Sequence, residues 1–192
     1  PEGAQGVLPS QLLERAVAAG WVGATYEKIP TDAIQPASLD LRLGEHAYRV
    51  RASFLPDDDT VEAKLADLVV DELDLRDEGA VLEPNRPYLI PLIEELALPE
   101  GVRARTNPKS STGRLDVFTR VITDHSYRFD EIDSGYQGRL WLEVVPLSFT
   151  VRVRHRLALN QLRLVCGRAA LTDADLHERH AREPFLFRGD EP

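Results

Sequence analysis

The sequence lacks several features that would narrow its function at once. It has a single cysteine, Cys166, among 192 residues, and it has no methionine. One cysteine excludes an internal disulfide framework and a multi-cysteine zinc site, so we expect a reducing, cytoplasmic setting and no zinc. Basic side chains number 23 against 32 acidic ones, giving a formal net charge of −9. This shortage of positive charge argues against a nucleic-acid partner, although a local basic pocket is compatible with it.

Long apolar runs and the common catalytic signatures are also missing. No run approaches the roughly 20 apolar residues that a membrane-spanning helix needs, so we expect no membrane partner. The sequence contains no phosphate-binding Walker loop, no dinucleotide-binding glycine pattern and no serine-hydrolase elbow. His177 and His180 are spaced i, i+3, whereas a zinc-binding helix uses i, i+4. A solvated polar helix is the simpler interpretation of that pair.

What the sequence does contain is a series of short β-type segments between clusters of Pro, Gly, Asn and Asp. Strands are predicted over 38–43, 47–51, 88–92, 117–123, 140–145, 150–153 and 162–165. Strands at this spacing favour a mainly β barrel or sandwich over alternating βαβ units.

Helices are predicted near both ends and once between the strands. The first covers 11–19, with Ser10 before it as the N-cap and Gly20 after its last turn. A short helix is predicted over 61–70, and a charged helix over 172–182.

The segment 107–114 concentrates groups that suit a phosphate. Lys109, Arg114 and three neighbouring hydroxyls, including Ser110 and Ser111, lie within six residues. Hydroxyl and backbone N–H donors combined with Lys or Arg are the groups that phosphate oxygens require. A polar turn that caps a short helix is the alternative interpretation.

A second polar segment, 132–144, combines a glycine-flanked turn with a strand. The turn presents Asp133 and Tyr136, and the strand places Trp141 and Glu143 on one face. Glu143 is therefore either exposed at a sheet edge or semi-buried, where it would need a cationic partner such as Arg114.

Together with 34–44, these segments resemble the dUTPase superfamily and specifically the dCTP deaminase family. Residues 34–44 are similar to that family's IQPASxDLRLG strand, and 109–114 to its RSSxxR motif with Lys for the first Arg. Residues 132–138 are similar to its IDPGWxG turn, and Leu142-Glu143 to its catalytic Leu-Glu. The resemblance implies a dUTPase-like distorted β-barrel or jelly roll, with an N-terminal helix and a short C-terminal helix.

The resemblance also implies roles for eight residues. The catalytic residues would be Glu143 as general base, with Arg114 and Ser110. Lys109 and Ser111 would face the triphosphate. The remaining nucleotide contacts would come from Asp133 at the sugar 3′-hydroxyl, Tyr136 against the deoxyribose, and Gln161.

The implied activity is zinc-independent hydrolysis of dCTP to dUTP and ammonia. Mg²⁺ would be carried on the triphosphate, and dTTP is a candidate inhibitor. Two alternatives stay open: a dUTPase or a bifunctional enzyme that releases dUMP, and a non-catalytic nucleotide-binding half-domain. Glu143 and Arg114 favour the deaminase, because a pure dUTPase does not need them as a pair.

The resemblance further implies a homotrimer with sites built between subunits, or a tandem, pseudo-symmetric assembly. We expect a deaminase-like domain over 1–170 and a charged helix or tail over 171–192, which would suit a linker to a second domain. Two stretches are longer than a minimal family member needs: the acidic excursion around 56–70, and 120–131.

Overall fold

The computed structural model describes residues 3–189. Its strands are β1 (Gly6–Val7), β2 (Val22–Ala24), β3 (Ile34–Gln35), β4 (Ser38–Arg42), β5 (His46–Val50), β6 (Val69–Asp74), β7 (Ala80–Leu82), β8 (Tyr88–Ala97), β9 (Val102–Pro108), β10 (Val117–Thr123), β11 (Glu131–Ile132), β12 (Gln137–Pro146), β13 (Val151–Val153) and β14 (Ala158–Cys166). Its helices are α1 (Ser10–Ala18), α2 (Val61–Leu68), α3 (Ser110–Arg114) and α4 (Asp173–Arg182), and Thr31–Ala33 forms a 3₁₀ turn.

The strands form two larger antiparallel sheets. Sheet 1 has the order β11-β9-β14-β4-β3, and β1 also pairs with β14. Sheet 2 has the order β10-β12-β8-β5-β6, and β2 also pairs with β8. Strands β7 and β13 pair separately. The prediction of a mainly β protein is therefore confirmed.

The main core is built from the inward side chains of these sheets. Alternate residues of a strand point to opposite faces, so Leu140, Leu142 and Val144 of β12 enter the main core. Trp141 and Glu143 point to the other face of sheet 2, where Trp141 joins a smaller cluster with Ile122 of β10. The alternation predicted for this strand is confirmed.

Helix α1 shows one wrong detail in the prediction. Pro9 occupies the N-cap position in an extended conformation, and Ser10 is already helical. The backbone N–H of Ser10 instead donates to the carbonyl of Pro36, at 2.9 Å. Gly20 follows the helix with φ +78°, as predicted for a residue after a helix end. Leu13 is buried in the core.

The middle helix ends earlier than predicted. Helix α2 stops at Leu68, and Val69 and Val70 begin strand β6, which pairs with β5. β-Branched valines favour a strand once a partner strand is available. The C-terminal helix lies at Asp173–Arg182, close to the prediction. The predicted domain 1–170 and tail 171–192 include residues 1, 2 and 190–192, which lie outside the described residues.

The single cysteine lies at one end of sheet 1. Cys166 closes strand β14 and pairs with Gly6 of β1. The side chain is buried, and this burial raises the pKa of the Cys166 thiol. It packs against the main core.

Candidate functional site

A cavity of about 410 Å³ lies at the point where α3 meets sheet 1. It is lined by Gln35, Pro36, Ser38, Asp40, Lys109, Ser110, Ser111 and Gln161. Four of the predicted site residues, three consecutive ones and one from a distant strand, therefore share one cavity. They are Lys109, Ser110, Ser111 and Gln161.

Strand pairing and one short helix position these side chains. In β14, Gln161 lies directly opposite Asp40 of β4 on one side and Asn107 of β9 on the other. Helix α3 follows β9 at once and is attached to β14 because the Thr112 hydroxyl donates to the carbonyl of Leu159, at 2.8 Å. The segment 107–114, for which a polar turn capping a short helix was the alternative interpretation, does contain a short helix, and this helix starts at the cavity wall.

The polar wall of the cavity consists of two internal pairs. The Lys109 ammonium donates to Oδ2 of Asp40, and the Ser38 hydroxyl donates to Oε1 of Gln161, at 2.9 Å. Asp40 is only 8% exposed, and its Oδ1 is buried without a hydrogen-bond partner. Ser110 is exposed to solvent at the start of α3.

The second group of predicted residues centres on Glu143, which lies in sheet 2 and is 2% exposed. Its Oε1 accepts from Nε of Arg120 at 2.8 Å. Arg120 lies directly across the β10–β12 pair from Glu143 and also donates to the hydroxyl of Ser53, at 2.6 Å. The guanidinium stacks on the ring of Phe129, 3.6 Å from its centroid. This semi-buried carboxylate does have the cationic partner that its position requires.

The partner is not the one expected from the sequence. Arg120 of β10, rather than Arg114, pairs with Glu143 within the described chain. Arg114 ends α3 and is exposed, and neither it nor Ser110 is hydrogen-bonded to Glu143 in the described residues. The catalytic roles of these three residues stay predictions. The register of the β10–β12 hairpin is the signal that identifies Arg120.

A two-part cap covers Glu143 and Trp141; we use this name for residues 53–68 and 124–130. The two parts are joined by the Val61 N–H, which donates to Oδ1 of Asp124, and the His125 N–H, which donates to the carbonyl of Asp59, at 2.8 and 2.9 Å. The cap coincides with the two stretches that are longer than a minimal family member needs.

The glycine-flanked turn leads from β11 into β12. Gly135 has φ +77°, which lets the chain reverse between Asp133 and Tyr136. The Tyr136 hydroxyl donates to the carbonyl of Arg139 at 2.7 Å and accepts from the N–H of Asp124 at 3.3 Å. Burial raises the pKa of Tyr136 well above its usual range. Asp133 is exposed.

A buried ion network lies beside β4 and was missed in the sequence. Glu94 is fully buried and accepts from the N–H and Nε of Arg42, at 2.6 and 2.7 Å. Arg42 also donates to Glu27, at 2.9 Å. Burial raises the pKa of Glu94 despite this partner. The arrangement explains how the charged side chain of Arg42 can be buried.

Residues 3–189 contain neither a metal centre nor a membrane-spanning helix. No group of three or more His, Cys, Asp or Glu side chains there is arranged to hold a metal ion. No helix in the same range is both long and apolar enough to span a membrane.

The fold and the polar cavity define a mainly β domain with groups suited to a phosphorylated ligand. Residues 4–168 match the model of the 2′-deoxycytidine 5′-triphosphate deaminase (DCD) N-terminal domain, so the chain belongs to this family. The family resemblance read from the sequence is thereby confirmed.

Three relatives show the extent of the similarity. A "dCTP deaminase, dUMP-forming" of Methanothermobacter thermautotrophicus is 28% identical over 72% of this chain and 67% of its own length. A protein of the same name from Parafrankia sp. is 38% identical over 58% of this chain and 52% of its own length. The crystal structure of 2′-deoxycytidine 5′-triphosphate deaminase from Agrobacterium tumefaciens superimposes with a TM-score of 0.86 and 45% identity, covering 93% of this chain and 54% of that one. The chain thus spans about half the length of the last two.

Proposed function

We propose that this chain contributes to hydrolytic deamination of dCTP, in which water replaces the 4-amino group to give dUTP and ammonia. The observation that carries the proposal is the cavity shared by Lys109, Ser110, Ser111 and Gln161. Its volume of about 410 Å³ lies within the range of small-ligand sites. Family membership supplies the reaction class.

In this proposal the two groups of residues divide the substrate between them. Lys109 and Ser111 bind the triphosphate, on which Mg²⁺ travels mostly with water and phosphate oxygens as ligands. Gln161 lies near the nucleotide, Asp133 accepts from the sugar 3′-hydroxyl, and Tyr136 packs on the deoxyribose. The hydrogen bond from the Tyr136 hydroxyl to the carbonyl of Arg139 restrains the ring, which supports this assignment.

Glu143 is the proposed general base. It takes a proton from water as the oxygen attacks the cytosine C4, and it passes protons to the ring and to the leaving amine. Arg114 and Ser110 position the water or stabilise negative charge near it. Because these two residues are not bonded to Glu143 in the described chain, we propose that a second copy or a second, similar domain supplies them.

Glu143→Gln tests the base directly. We expect loss of ammonia release, while binding of dCTP, measured by calorimetry, survives. Glu95→Gln, the same change on neighbouring strand β8, serves as the control and keeps its turnover. Near-normal turnover of Glu143→Gln would remove Glu143 from this role.

A second product is the main alternative. Relatives of this chain are named "dCTP deaminase, dUMP-forming". If this chain shares that property, dCTP will yield ammonia, dUMP and pyrophosphate. Separating the nucleotides after incubation with dCTP, and separately with dUTP, distinguishes the deaminase, the bifunctional enzyme and the dUTPase. Binding of dCTP without any product would indicate a nucleotide-binding half-domain.

A further inference from the structure

Asp40 places a negative charge inside the cavity that we assign to the triphosphate. Among the described residues that line it, Lys109 is the cation and Asp40 is the anion, and the two are paired. The pair has no net charge, so in this state the cavity offers little attraction to an anion.

The carboxylate of Asp40 is unusual in how it is held. Only 8% of the residue and 11% of its side chain are exposed, and one of its oxygens has no hydrogen-bond partner. A buried carboxylate is normally hydrogen-bonded through both oxygens. The charge of Asp40 is therefore compensated mainly by Lys109. The side chain of Lys109 is 30% exposed.

An incoming phosphate either shares or takes over the Lys109 ammonium, which has three N–H donors. In both cases the ion pair of Asp40 is weakened and a second anion comes close to Asp40, and like charges in such proximity repel strongly. An inorganic polyphosphate gains only Lys109 and the hydroxyls of Ser110 and Ser111. A nucleotide has a sugar and a base, whose contacts offset the repulsion.

We propose that Asp40 is a specificity-determining residue: it competes with phosphate for Lys109 and so keeps inorganic polyphosphate out of the cavity. The inference rests on the proposed function, because it takes the cavity to be the triphosphate site. It assigns Asp40 a role in ligand selection beyond that of a buried strand residue.

The test measures binding of sodium tripolyphosphate to the whole chain by calorimetry, in metal-free buffer at fixed ionic strength. Asp40→Asn keeps the shape of the side chain and removes its charge. We expect its affinity for tripolyphosphate to rise at least about tenfold over the wild-type chain. Asp32→Asn is the matched control, because it makes the same change in net charge at an exposed residue of the neighbouring cavity. It should alter the affinity less than about twofold.

Two outcomes would overturn the inference. An equal gain in Asp40→Asn and Asp32→Asn would show only a general charge effect, and a lower affinity in Asp40→Asn would show that Asp40 orients Lys109 for its ligand. Thermal melts verify folding, and Asp40→Ser provides a second neutral variant if the first does not fold.

A separate arm tests the proposed function. Lys109→Gln should raise the KM for dCTP, and an unchanged KM would mean that this cavity is not the triphosphate site. That result is independent of the comparison between Asp40→Asn and Asp32→Asn, so the two failures are distinguishable.

Discussion

At the scale of single residues, Glu143 has a proposed catalytic role and a role in stability. It is the proposed base, and it is also a buried carboxylate whose charge is compensated by Arg120. Removing one member of a buried ion pair leaves the other charge without compensation, which destabilises more than removing both. Stability and catalysis at this position are therefore separable by experiment.

Arg120→Gln should lower the free energy of unfolding by about 3 kcal/mol, because Glu143 is left charged and buried. The double variant Arg120→Gln/Glu143→Gln should lose less, which a double-mutant cycle in urea measures. Arg128→Gln is the control, since the ion pair of Arg128 with Glu131 lies at the surface and contributes little. Additive losses in the cycle would show that Arg120 and Glu143 are not coupled.

At the scale of elements, Asp130 joins strands β9 and β10. Its Oδ1 accepts from the Thr106 hydroxyl and from the N–H of Val121, at 2.7 and 2.8 Å. Its own N–H donates to the carbonyl of Val121, at 3.0 Å. Burial raises the pKa of Asp130 above its ordinary value in spite of these donors. The cap thus returns to the two strands through a carboxyl group whose pKa is raised by burial.

Asp130→Asn should therefore change the pH dependence of stability. Between the ordinary pKa of an aspartate, about 4, and the raised pKa of Asp130, the folded wild-type chain holds more protons than the unfolded chain, so its stability falls as pH rises. The variant lacks this titration. We expect the stability difference, variant minus wild type, to increase with pH across that window and then level off.

Urea unfolding at pH 4 to 7 measures this difference. Burial also raises the pKa of Glu94, but Glu94 is present in both the wild type and the variant. Its contribution therefore cancels from the difference in stability. Asp77→Asn provides an exposed control. A stability difference between Asp130→Asn and the wild type that stays constant with pH would contradict the prediction.

Elements set by local alternation were predictable, and those set by distant pairing were not. Strand β10 was predicted to the residue, because β-branched residues fill Val117–Thr123. Strand β9 was missed although its inward residues alternate with Arg103 and Arg105. Two of those inward residues, Ala104 and Thr106, are small or polar and give a weak apolar signal, and the strand is held by pairing with β14, far along the chain.

The site followed the same rule. The motif around Lys109 identified residues that share a cavity, because a contiguous segment and one strand supply most of them. Arg120 pairs with Glu143 because the two residues lie opposite each other in the register of β10 and β12. A long connection separates these strands, so the spacing of residues in the sequence does not reveal that register. The Lys109–Asp40 pair depends on how β4 lies beside β14.

At the scale of the whole molecule, Glu143 lies on β12 and the other two predicted catalytic residues, Ser110 and Arg114, lie on α3, and neither of these two is hydrogen-bonded to Glu143 in the described chain. If two copies complete each site, Glu143 would come from one copy and Arg114 from the other. Mixing two inactive variants would then regenerate some complete sites.

We therefore expect Glu143→Gln and Arg114→Ala to be inactive alone and active when unfolded together and refolded as an equal mixture. About a quarter of the wild-type rate should return, because each regenerated site needs two intact contributors. Ammonia release measures the recovery. No recovery in mixtures that do form mixed oligomers would show that one chain holds the whole site.

The lone thiol gives this chain a built-in reporter of motion at the end of sheet 1. Because Cys166 is buried under its pairing with Gly6, an alkylating reagent reaches the sulfur only when β1 separates from β14. The alkylation rate in native buffer, compared with the rate in urea, therefore gives the free energy of local opening at this edge. With no other cysteine in the sequence to label, mass spectrometry of the intact chain reads the opening of this one strand directly.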